Sequence, residues 1–288
     1  MNKIIFGLRN FNDKFKKIVR SPESLNFYFK TYILSKLNSV EPDFYIVSYP
    51  KSGRTWVRFM LQKYIEQLGI TPQQFHDKSM LRISSDKVIK FEHDQSNWVP
   101  IPRSVSELSF NVSLYSGKKI IFLVRDPRDV LVSSWYHLRF RERIYMEDLS
   151  SFMHDNLVGI NKIIAFMNMW MDNSWVPAAF YPITYEDIHR DPHTTFSSII
   201  KFLGMQVNSE ALKRAVTESA FEKMNHMEKR GELKDPWIEP GSKTSGNSMK
   251  IRKGMVGGYR SELSEKDILY LDSVIKEKLN PRLPYHRR

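Results

Sequence analysis

The sequence predicts a single α/β domain with a central, mainly parallel sheet flanked by helices. Short apolar, β-prone runs, such as Phe44 to Val47 and Ile120 to Val124, each lead through a tight loop into a helical pattern. Strands that alternate with helices in this way are typical of a parallel sheet. No internal repeat or linker divides the 288 residues, a length that can bury one large core.

Composition narrows the classes of function. The net charge of +12 favours an anionic partner but does not choose among a nucleotide, a nucleic acid and a membrane surface. The chain has no cysteine, which excludes disulfides, thiolate metal sites and thiol catalysis and suits a reducing cytoplasm, the location we expect. No apolar run approaches the roughly 20 residues that span a bilayer, so no transmembrane segment is expected.

Residues 1–42 predict a helical N-terminal extension. Phe11, Phe15 and Ile18 share a helical face that basic residues surround. We expect this face to pack on the domain or on a partner subunit, which leaves both a monomer and a homodimer open. Weak contact with a membrane surface is the alternative.

The loop that follows the first strand has the composition of a phosphate site. Pro50 and Gly53 interrupt the apolar strand, and a helical pattern follows to Leu68. Backbone N–H groups at a helix N-terminus, a glycine, the cation of Lys51 and two hydroxyl groups suit a bound phosphate. A Walker A loop instead ends in Gly-Lys-Ser/Thr. We therefore predict a phosphate loop of another type.

Two further strands are expected to place potential catalytic and ligand-binding side chains at the same edge of the sheet. His93 lies just beyond the strand Lys87 to Phe91, and ligands of open α/β sheets sit beyond the carboxyl ends of strands. Arg125 ends the strand Ile120 to Val124, and arginine can bind a phosphate with paired donors. Asp129, one helical turn beyond, is expected to cap or pair locally.

The second half of the chain is expected to supply residues of the hydrophobic core and a strap that closes over the phosphate site. The Met-rich and Trp-rich stretch from Ile163 to Trp175 has helical spacing and is interpreted as core. Another strand is expected from Ala179 through Asp187, and the earlier segment from Thr71 to Arg82 is expected to be connecting structure. Within the expected lid and strap loop, 229–258, residues 229–250 lose periodicity and predict either a lid or a loop that is disordered without ligand. They lead into a closing strap, the basic, glycine-rich run Arg252 to Gly257. His189 and His193 do not predict a metal site, because Pro192 breaks their shared helical face.

Three motifs, Tyr49 to Trp56, Arg125 to Ser133 and Arg252 to Gly257, resemble in sequence and order those of the cytosolic-type sulfotransferases, a P-loop family. The resemblance implies 3′-phosphoadenosine 5′-phosphosulfate (PAPS) as co-substrate, 3′-phosphoadenosine 5′-phosphate (PAP) as product, and no metal. It implies that the nucleotide-binding residues are Lys51, Ser52, Gly53, Arg54, Thr55, Trp56, Arg125, Ser133, Tyr185, Phe221, Arg252, Lys253 and Gly254. The segment from Phe221 to Met224 resembles the family's turn beside the adenine.

The resemblance also implies a mechanism. His93 would be the general base, Lys51 would stabilise the leaving phosphate, and Ser133 would hold Lys51 or the 3′-phosphate. The chain departs from the family pattern in three places: Arg54 replaces a threonine, Lys90 to His93 is one residue longer than Lys-Thr-His, and Gly258 to Arg260 replaces Asp-Trp-Lys. The role of Lys90 therefore stays open.

The acceptor is expected to be a hydroxyl or amine of a small organic molecule. Aromatic and methionine residues within 94–117 and 136–175 could form an apolar cleft, and tailoring of a natural product would fit such a cleft. The alternatives are a P-loop nucleotide kinase or NTPase, which lacks support because the Lys-Ser/Thr ending is missing, and a non-catalytic nucleotide-binding or nucleic-acid-binding protein. No nucleic-acid motif is evident, so we expect no nucleic-acid partner.

Overall fold

A computed structural model of the chain describes residues 40–71, 75, 77–98, 102–233 and 246–286. The helices expected in the N-terminal extension fall within residues 1–39, outside the described residues. Residues 234–245 of the expected lid also lie outside them.

Five strands form one sheet in the order β2-β3-β1-β4-β5. The strands are β1 (Phe44–Val47), β2 (Met80–Arg82), β3 (Val88–Glu92), β4 (Lys119–Val124) and β5 (Ala179–Thr184). Four of them are parallel, and β2 pairs with β3 in the antiparallel direction at one edge. The predicted fold class, an α/β domain with a central and mainly parallel sheet, is confirmed.

Helices connect the strands and cover both faces of the sheet. They are α1 (Arg54–Gln67), α2 (Val112–Tyr115), α3 (Pro127–Tyr136), α4 (Leu149–His154), α5 (Ile160–Asp172), α6 (Tyr185–Arg190), α7 (Pro192–Phe202), α8 (Ser209–Glu218), α9 (Phe221–Lys229) and α10 (Glu265–Lys278). A π-helical turn, His137–Arg141, extends α3. Within the described residues, none of these helices has both the length and the apolarity that crossing a bilayer requires.

Alternation along the strands divides the core between the two faces of the sheet. On β4, Ile120 and Phe122 pack with α3, α5 and α10, whereas Ile121 and Leu123 pack with α1, α7 and α8. Successive side chains of a strand point to opposite faces, so a strand that is covered on both sides must be apolar throughout. The stretch from Ile163 is core as predicted, and Trp170 is fully buried there.

Three local expectations were wrong. The segment 71–82, expected to be connecting structure, ends in strand β2. The strand expected to run to Asp187 ends at Thr184, because the Thr184 side chain accepts a hydrogen bond from the backbone N–H of Asp187 and thereby caps α6. Phe221, expected in a turn, begins helix α9.

Candidate functional site

The carboxyl ends of the four parallel strands converge on one cleft of about 900 Å³. Lys51 follows β1, His93 follows β3, Arg125 follows β4 and Tyr185 follows β5, and all four line the cleft. Because parallel strands end at one edge of the sheet, side chains far apart in the sequence meet there. Every predicted site residue lines this cleft except Ser52, which is buried beneath the loop.

The loop after β1 adopts a conformation that requires glycine at one position. Gly53 has a φ of 102° and precedes the first residue of α1. A Cβ atom at this position would lie 2.6 Å from Cδ2 of Tyr185, closer than a real Cβ approaches. Gly53 therefore lets the loop turn tightly against the end of β5, with the N-terminus of α1 facing the cleft.

Lys51 sits among cations. Burial lowers the pKa of its ammonium group to about 7, and the nearby charges of Lys250, Arg141 and Arg125 add to this decrease. The Nζ atom lies 3.5 Å from the main-chain oxygen of Lys250. An anion bound in the cleft would relieve this repulsion, and the loop is thus arranged to bind negative charge.

His93 is held as a neutral imidazole. Its Nδ1 atom lies 2.7 Å from the carbonyl oxygen of Ser48. Since a carbonyl only accepts hydrogen bonds, Nδ1 carries the proton and Nε2 keeps its lone pair. Burial lowers the pKa of His93 well below its usual value, and the charges of Arg54 and Lys250 lower it further. The ring can therefore accept a proton at neutral pH.

The residues on either side of His93 are held by ion pairs and by a turn. Lys90 forms an ion pair with Glu92 at 3.0 Å and approaches Asp77 at 3.9 Å. Beyond the strand, the backbone N–H of Ser96 donates to the carbonyl oxygen of His93 at 2.9 Å and closes a turn. Lys90 is thus engaged by carboxylates at one wall of the cleft, and a turn follows His93.

Arg125 links three parts of the site. Its guanidinium donates to the main-chain oxygens of Lys51 at 3.3 Å and Met255 at 2.9 Å, and it lies 4.3 Å from the ring centroid of Tyr185. Its buried Nε–H has no hydrogen-bond partner among the described residues. An unsatisfied donor of this kind suits an anionic ligand.

Asp129 pairs locally with Arg125, as the sequence predicted, and it also anchors the strap. Its carboxylate accepts hydrogen bonds from the backbone N–H groups of Gly257 at 2.8 Å and Tyr259 at 2.9 Å. It also lies 3.7 Å from Arg125. Burial raises the pKa of this carboxyl, and the neighbouring Arg125 opposes that increase. The strap is consequently fastened to α3 above the cleft.

The cations of the strap are held by one carboxylate. Arg252 donates to Glu262 at 3.1 Å, and Lys253 donates to the same oxygen. Arg252 also lies 3.6 Å from the ring centroid of Tyr136, whose hydroxyl donates to Glu262 at 2.7 Å. Both cations line the cleft, and Glu262 holds them there.

Aromatic side chains form another part of the wall of the cleft. The rings of Trp56 and Tyr185 meet edge to face at 5.5 Å, and the Tyr185 hydroxyl donates to the main-chain oxygen of Gly254 at 3.1 Å. Gly254 has a φ of 62°, and a Cβ there would lie 2.1 Å from Phe221. The close approach of the strap to Phe221 brings aromatic rings and phosphate-binding groups into one cleft, as a nucleotide requires.

Several residues of the site were not predicted from the sequence. Glu228 accepts hydrogen bonds from the backbone N–H groups of Lys250 at 2.7 Å and Ile251 at 2.8 Å, and it pairs with Arg141 at 3.5 Å. Glu262 was missed in the same way. Glu262 has the signal of lying 10 residues after Arg252, whereas Glu228 lies 22 residues before Lys250 and has no such signal in the sequence.

His137 lines the cleft beside Trp98. Burial and the charge of Lys51 lower its pKa to about 4, although Glu142, 3.4 Å away, opposes this decrease. Among the residues that the structure describes, no group of three or more histidine, cysteine or acidic side chains could hold a metal ion.

Comparison of the sequence with known families matches residues 41–281 to the sulfotransferase domain. Sulfotransferase 2A2 of Rattus norvegicus is 26% identical over 272 residues, which cover 88% of this chain and 91% of that protein. Cytosolic sulfotransferase 12 of Arabidopsis thaliana is 25% identical over 268 residues, which cover 84% of this chain and 79% of that protein.

Solved structures share the fold. Mouse sulfotransferase SULT7A1, crystallised with PAP, superposes with a TM-score of 0.61 and 23% identity over 87% of this chain and 89% of that one. Retinol dehydratase, crystallised with androsterone and PAP, superposes with a TM-score of 0.60 and 18% identity over 88% of each chain. At this level of sequence identity, the similarity to these structures establishes a shared fold only.

Proposed function

The chain belongs to the sulfotransferase family, and from that premise we propose that its cleft transfers a sulfuryl group from PAPS to a hydroxyl or amine of a small organic acceptor. One observation carries the assignment of roles. A neutral His93, with its basic Nε2 free of the Ser48 contact, lines the same cleft as Lys51 and Arg125. A base, a cation for the leaving group and a cation for a second phosphate are the groups that this reaction needs.

The donor would bind across the loop, α3 and the strap. The loop from Lys51 to Trp56 would hold the 5′-phosphosulfate through backbone N–H groups and Lys51. Ser133, Arg252 and Lys253 with Arg125 would hold the 3′-phosphate, and Trp56, Tyr185 and Phe221 would contact the adenine. The unsatisfied Nε–H of Arg125 and the close approaches at Gly53 and Gly254 support this fit.

Transfer would proceed by in-line displacement. The acceptor oxygen or nitrogen forms a bond to sulfur while the bond from sulfur to the bridging oxygen breaks, so that PAP leaves with the electron pair. His93 Nε2 takes the proton of the acceptor, and Lys51 stabilises the charge that develops on the bridging oxygen. Ser133 would hold Lys51 or the 3′-phosphate until an acceptor is bound.

A small organic acceptor is the substrate class that we favour. Retinol dehydratase binds androsterone and retinol, both small alcohols, on this fold. In the present chain, Trp98, His137 and Met249 line the part of the cleft near His93 and would face the acceptor. The cytoplasmic location and the choice between monomer and homodimer stay predictions.

The deciding experiment is calorimetric titration with PAP, with ATP and 5′-AMP for comparison and the Arg125→Ala variant alongside. We expect tight binding of PAP, much weaker binding of the two other nucleotides, and a loss of about tenfold or more in the variant, because an ionic hydrogen-bond partner is removed. Equal affinity for PAP and 5′-AMP would contradict the proposal and favour a kinase or another nucleotide-binding protein.

Turnover is tested with radiolabelled PAPS and a panel of 2-naphthol, androsterone, retinol and tyramine. All four compounds carry a hydroxyl group, and tyramine carries an amine as well. Transfer of label to 2-naphthol, androsterone or retinol supports a small alcohol or phenol as the acceptor class. Tight PAP binding without transfer to any member would instead support a binding protein that does not catalyse sulfation of small molecules.

A further inference from the structure

The acceptor must lie next to His93, and the strand that ends there carries charged side chains. Lys90 and Glu92 of β3 line the cleft together with His93. Asp77, from the segment before β2, also lines the cleft, and its carboxylate lies 3.9 Å from Nζ of Lys90. These three side chains, Asp77, Lys90 and Glu92, form what we call the acceptor wall of the cleft.

The exposed surface of this region is polar. The side chains of Asp77, Lys90 and Glu92 are 38%, 30% and 27% exposed. Two apolar residues that line the same region are almost completely covered, since Phe91 is 2% and Trp98 is 7% exposed. An apolar acceptor such as a steroid would displace water from the charged groups without replacing its hydrogen bonds, which costs free energy. The wall therefore favours a polar acceptor.

Charges of both signs lie side by side in this region. Lys90 is 3.0 Å from Glu92 and 3.9 Å from Asp77, and His137 Nε2 is 3.4 Å from Glu142, a pair that also lines the cleft. A ligand ammonium bound to Glu92 would lie beside the ammonium of Lys90, and a ligand carboxylate bound to Lys90 would lie beside two carboxylates. A hydroxyl group meets neither repulsion, because it is neutral and both donates and accepts hydrogen bonds.

We propose that the acceptor is a neutral polyhydroxylated molecule, a sugar or a glycoside, whose additional hydroxyl groups bind the acceptor wall. The inference rests on the proposed function and names the acceptor class of the same cleft. One hydroxyl oxygen bonds to sulfur as the bond from sulfur to the bridging oxygen breaks, its proton passes to His93, and PAP leaves. Neighbouring hydroxyl groups donate to Asp77 and Glu92 and accept from Lys90. An ionised carboxylate has about four acceptor sites, so the ion pair with Lys90 does not exhaust them.

The test compares benzyl alcohol with the benzyl glycosides of glucose, galactose, mannose and N-acetylglucosamine, each with radiolabelled PAPS. We expect kcat/KM for at least one glycoside to exceed that for benzyl alcohol by about tenfold or more, because hydrogen bonds to charged groups are added. In a protein that binds PAP, a higher kcat/KM for benzyl alcohol or benzylamine, or no transfer to any glycoside, would overturn the inference. Failure to bind PAP in calorimetry would instead refute the proposed function.

Variants of the acceptor wall locate the effect. Asp77→Asn retains the side-chain oxygen that accepts from the backbone N–H of Ser79 at 2.9 Å, and Glu92→Gln retains the shape of the side chain. Each should lower kcat/KM for the preferred glycoside by about tenfold and change kcat/KM for benzyl alcohol and PAP affinity by less than about twofold. Glu277→Gln, at an exposed position of α10, is the control and should change none of these values. Equal losses with both acceptors, or no loss with the glycoside, would contradict the proposed contacts.

Discussion

His93 owes its proposed role to one carbonyl group. The main-chain oxygen of Ser48, at the end of β1, fixes the proton on Nδ1 at 2.7 Å and leaves Nε2 as the acceptor. The surrounding positive charge and burial keep the ring neutral. A histidine in a different tautomer, or one that was already protonated, could not remove a proton from an acceptor.

We expect His93→Ala to lower kcat by about 100-fold or more, because the general base is lost. The low pKa also sets the pH dependence in the wild type. Since His93 loses its proton well below its usual value, the acid limb of kcat/KM should lie below about pH 6.5. His226→Ala, at an exposed position on α9, is the control. An acid limb that persists unchanged in His93→Ala would refute the assignment.

Lys51 predicts uptake of a proton when PAP binds. With a pKa of about 7, about nine-tenths of the free protein carries a neutral Lys51 at pH 8. A bound phosphate favours the ammonium form and raises this pKa. Calorimetry at pH 8 in buffers of different ionisation enthalpy should therefore show uptake that approaches one proton, and at pH 6 almost none. Lys51→Met should abolish the uptake, and identical enthalpies in all buffers would contradict the prediction.

Individual site residues differed in how far the sequence predicted them. Lys51 and Arg125 were predictable because each follows an apolar strand within a recognisable motif. Glu228 and Glu262 were not, because an acidic residue on an amphipathic segment has the same local pattern whether it faces solvent or holds a cation across the fold. The local pairing of Asp129 with Arg125 could be predicted, whereas its hydrogen bonds to the backbone of residues 257 and 259 could not.

At the scale of elements, the loop after β1 depends on the end of β5. Gly53 combines a φ of 102° with a Cβ position 2.6 Å from Tyr185. The observed conformation of the loop therefore requires a residue without a Cβ atom at position 53, where Tyr185 packs. The phosphate-binding loop after β1 thus depends on the position of Tyr185, which follows β5.

We expect Gly53→Ala to displace the loop and to lower PAP affinity by about tenfold or more, because strain of about 1–3 kcal/mol must be relieved. Gly69→Ala is the matched control: its φ of 75° is also left-handed, but no atom lies within 4 Å of the added Cβ. It should lower stability by about 1–2 kcal/mol and leave PAP affinity unchanged. Equal PAP affinities of the two variants would show that the contact with Tyr185 is unimportant.

Among elements, the parallel strands and most long helices could be predicted because their apolar periods are sustained. The edge strand β2 was missed since it has only three residues, Met80 to Arg82. The end of β5 was misplaced because the aromatic Tyr185 suits a strand by propensity, whereas the cap at Thr184 starts a helix. Short elements depend on such caps and on tertiary pairing more than on composition.

At the scale of the molecule, a buried polar network joins the C-terminal segment to the sheet. Glu186 accepts hydrogen bonds from the backbone N–H of Asp126 and from the Tyr285 hydroxyl, both at 2.9 Å. Arg128 pairs with Asp126 and donates to the main-chain oxygen of Tyr285 at 3.3 Å. The last described residues are therefore part of the structure that supports Arg125.

We expect Tyr285→Phe to lower the free energy of unfolding by about 1–3 kcal/mol, because a buried carboxylate oxygen of Glu186 loses its donor. Denaturation by urea, monitored by tryptophan fluorescence, measures the change. Tyr181→Phe is the control, since Tyr181 contacts Phe202 through its ring. A loss of stability in Tyr285→Phe no larger than in the control would mean that the network contributes little.

The fastening of the strap to Asp129 has a consequence for biosynthesis. The cleft needs the loop at residue 51, the helix that carries Asp129 and the strap at residues 257–259, which are translated far apart in time. A growing chain can form the first strands and helices early, but contacts of such long sequence separation close late. Nascent chains that have not yet exposed the strap therefore lack the complete cleft, and the ability to bind the nucleotide marks a chain whose synthesis has passed Tyr259.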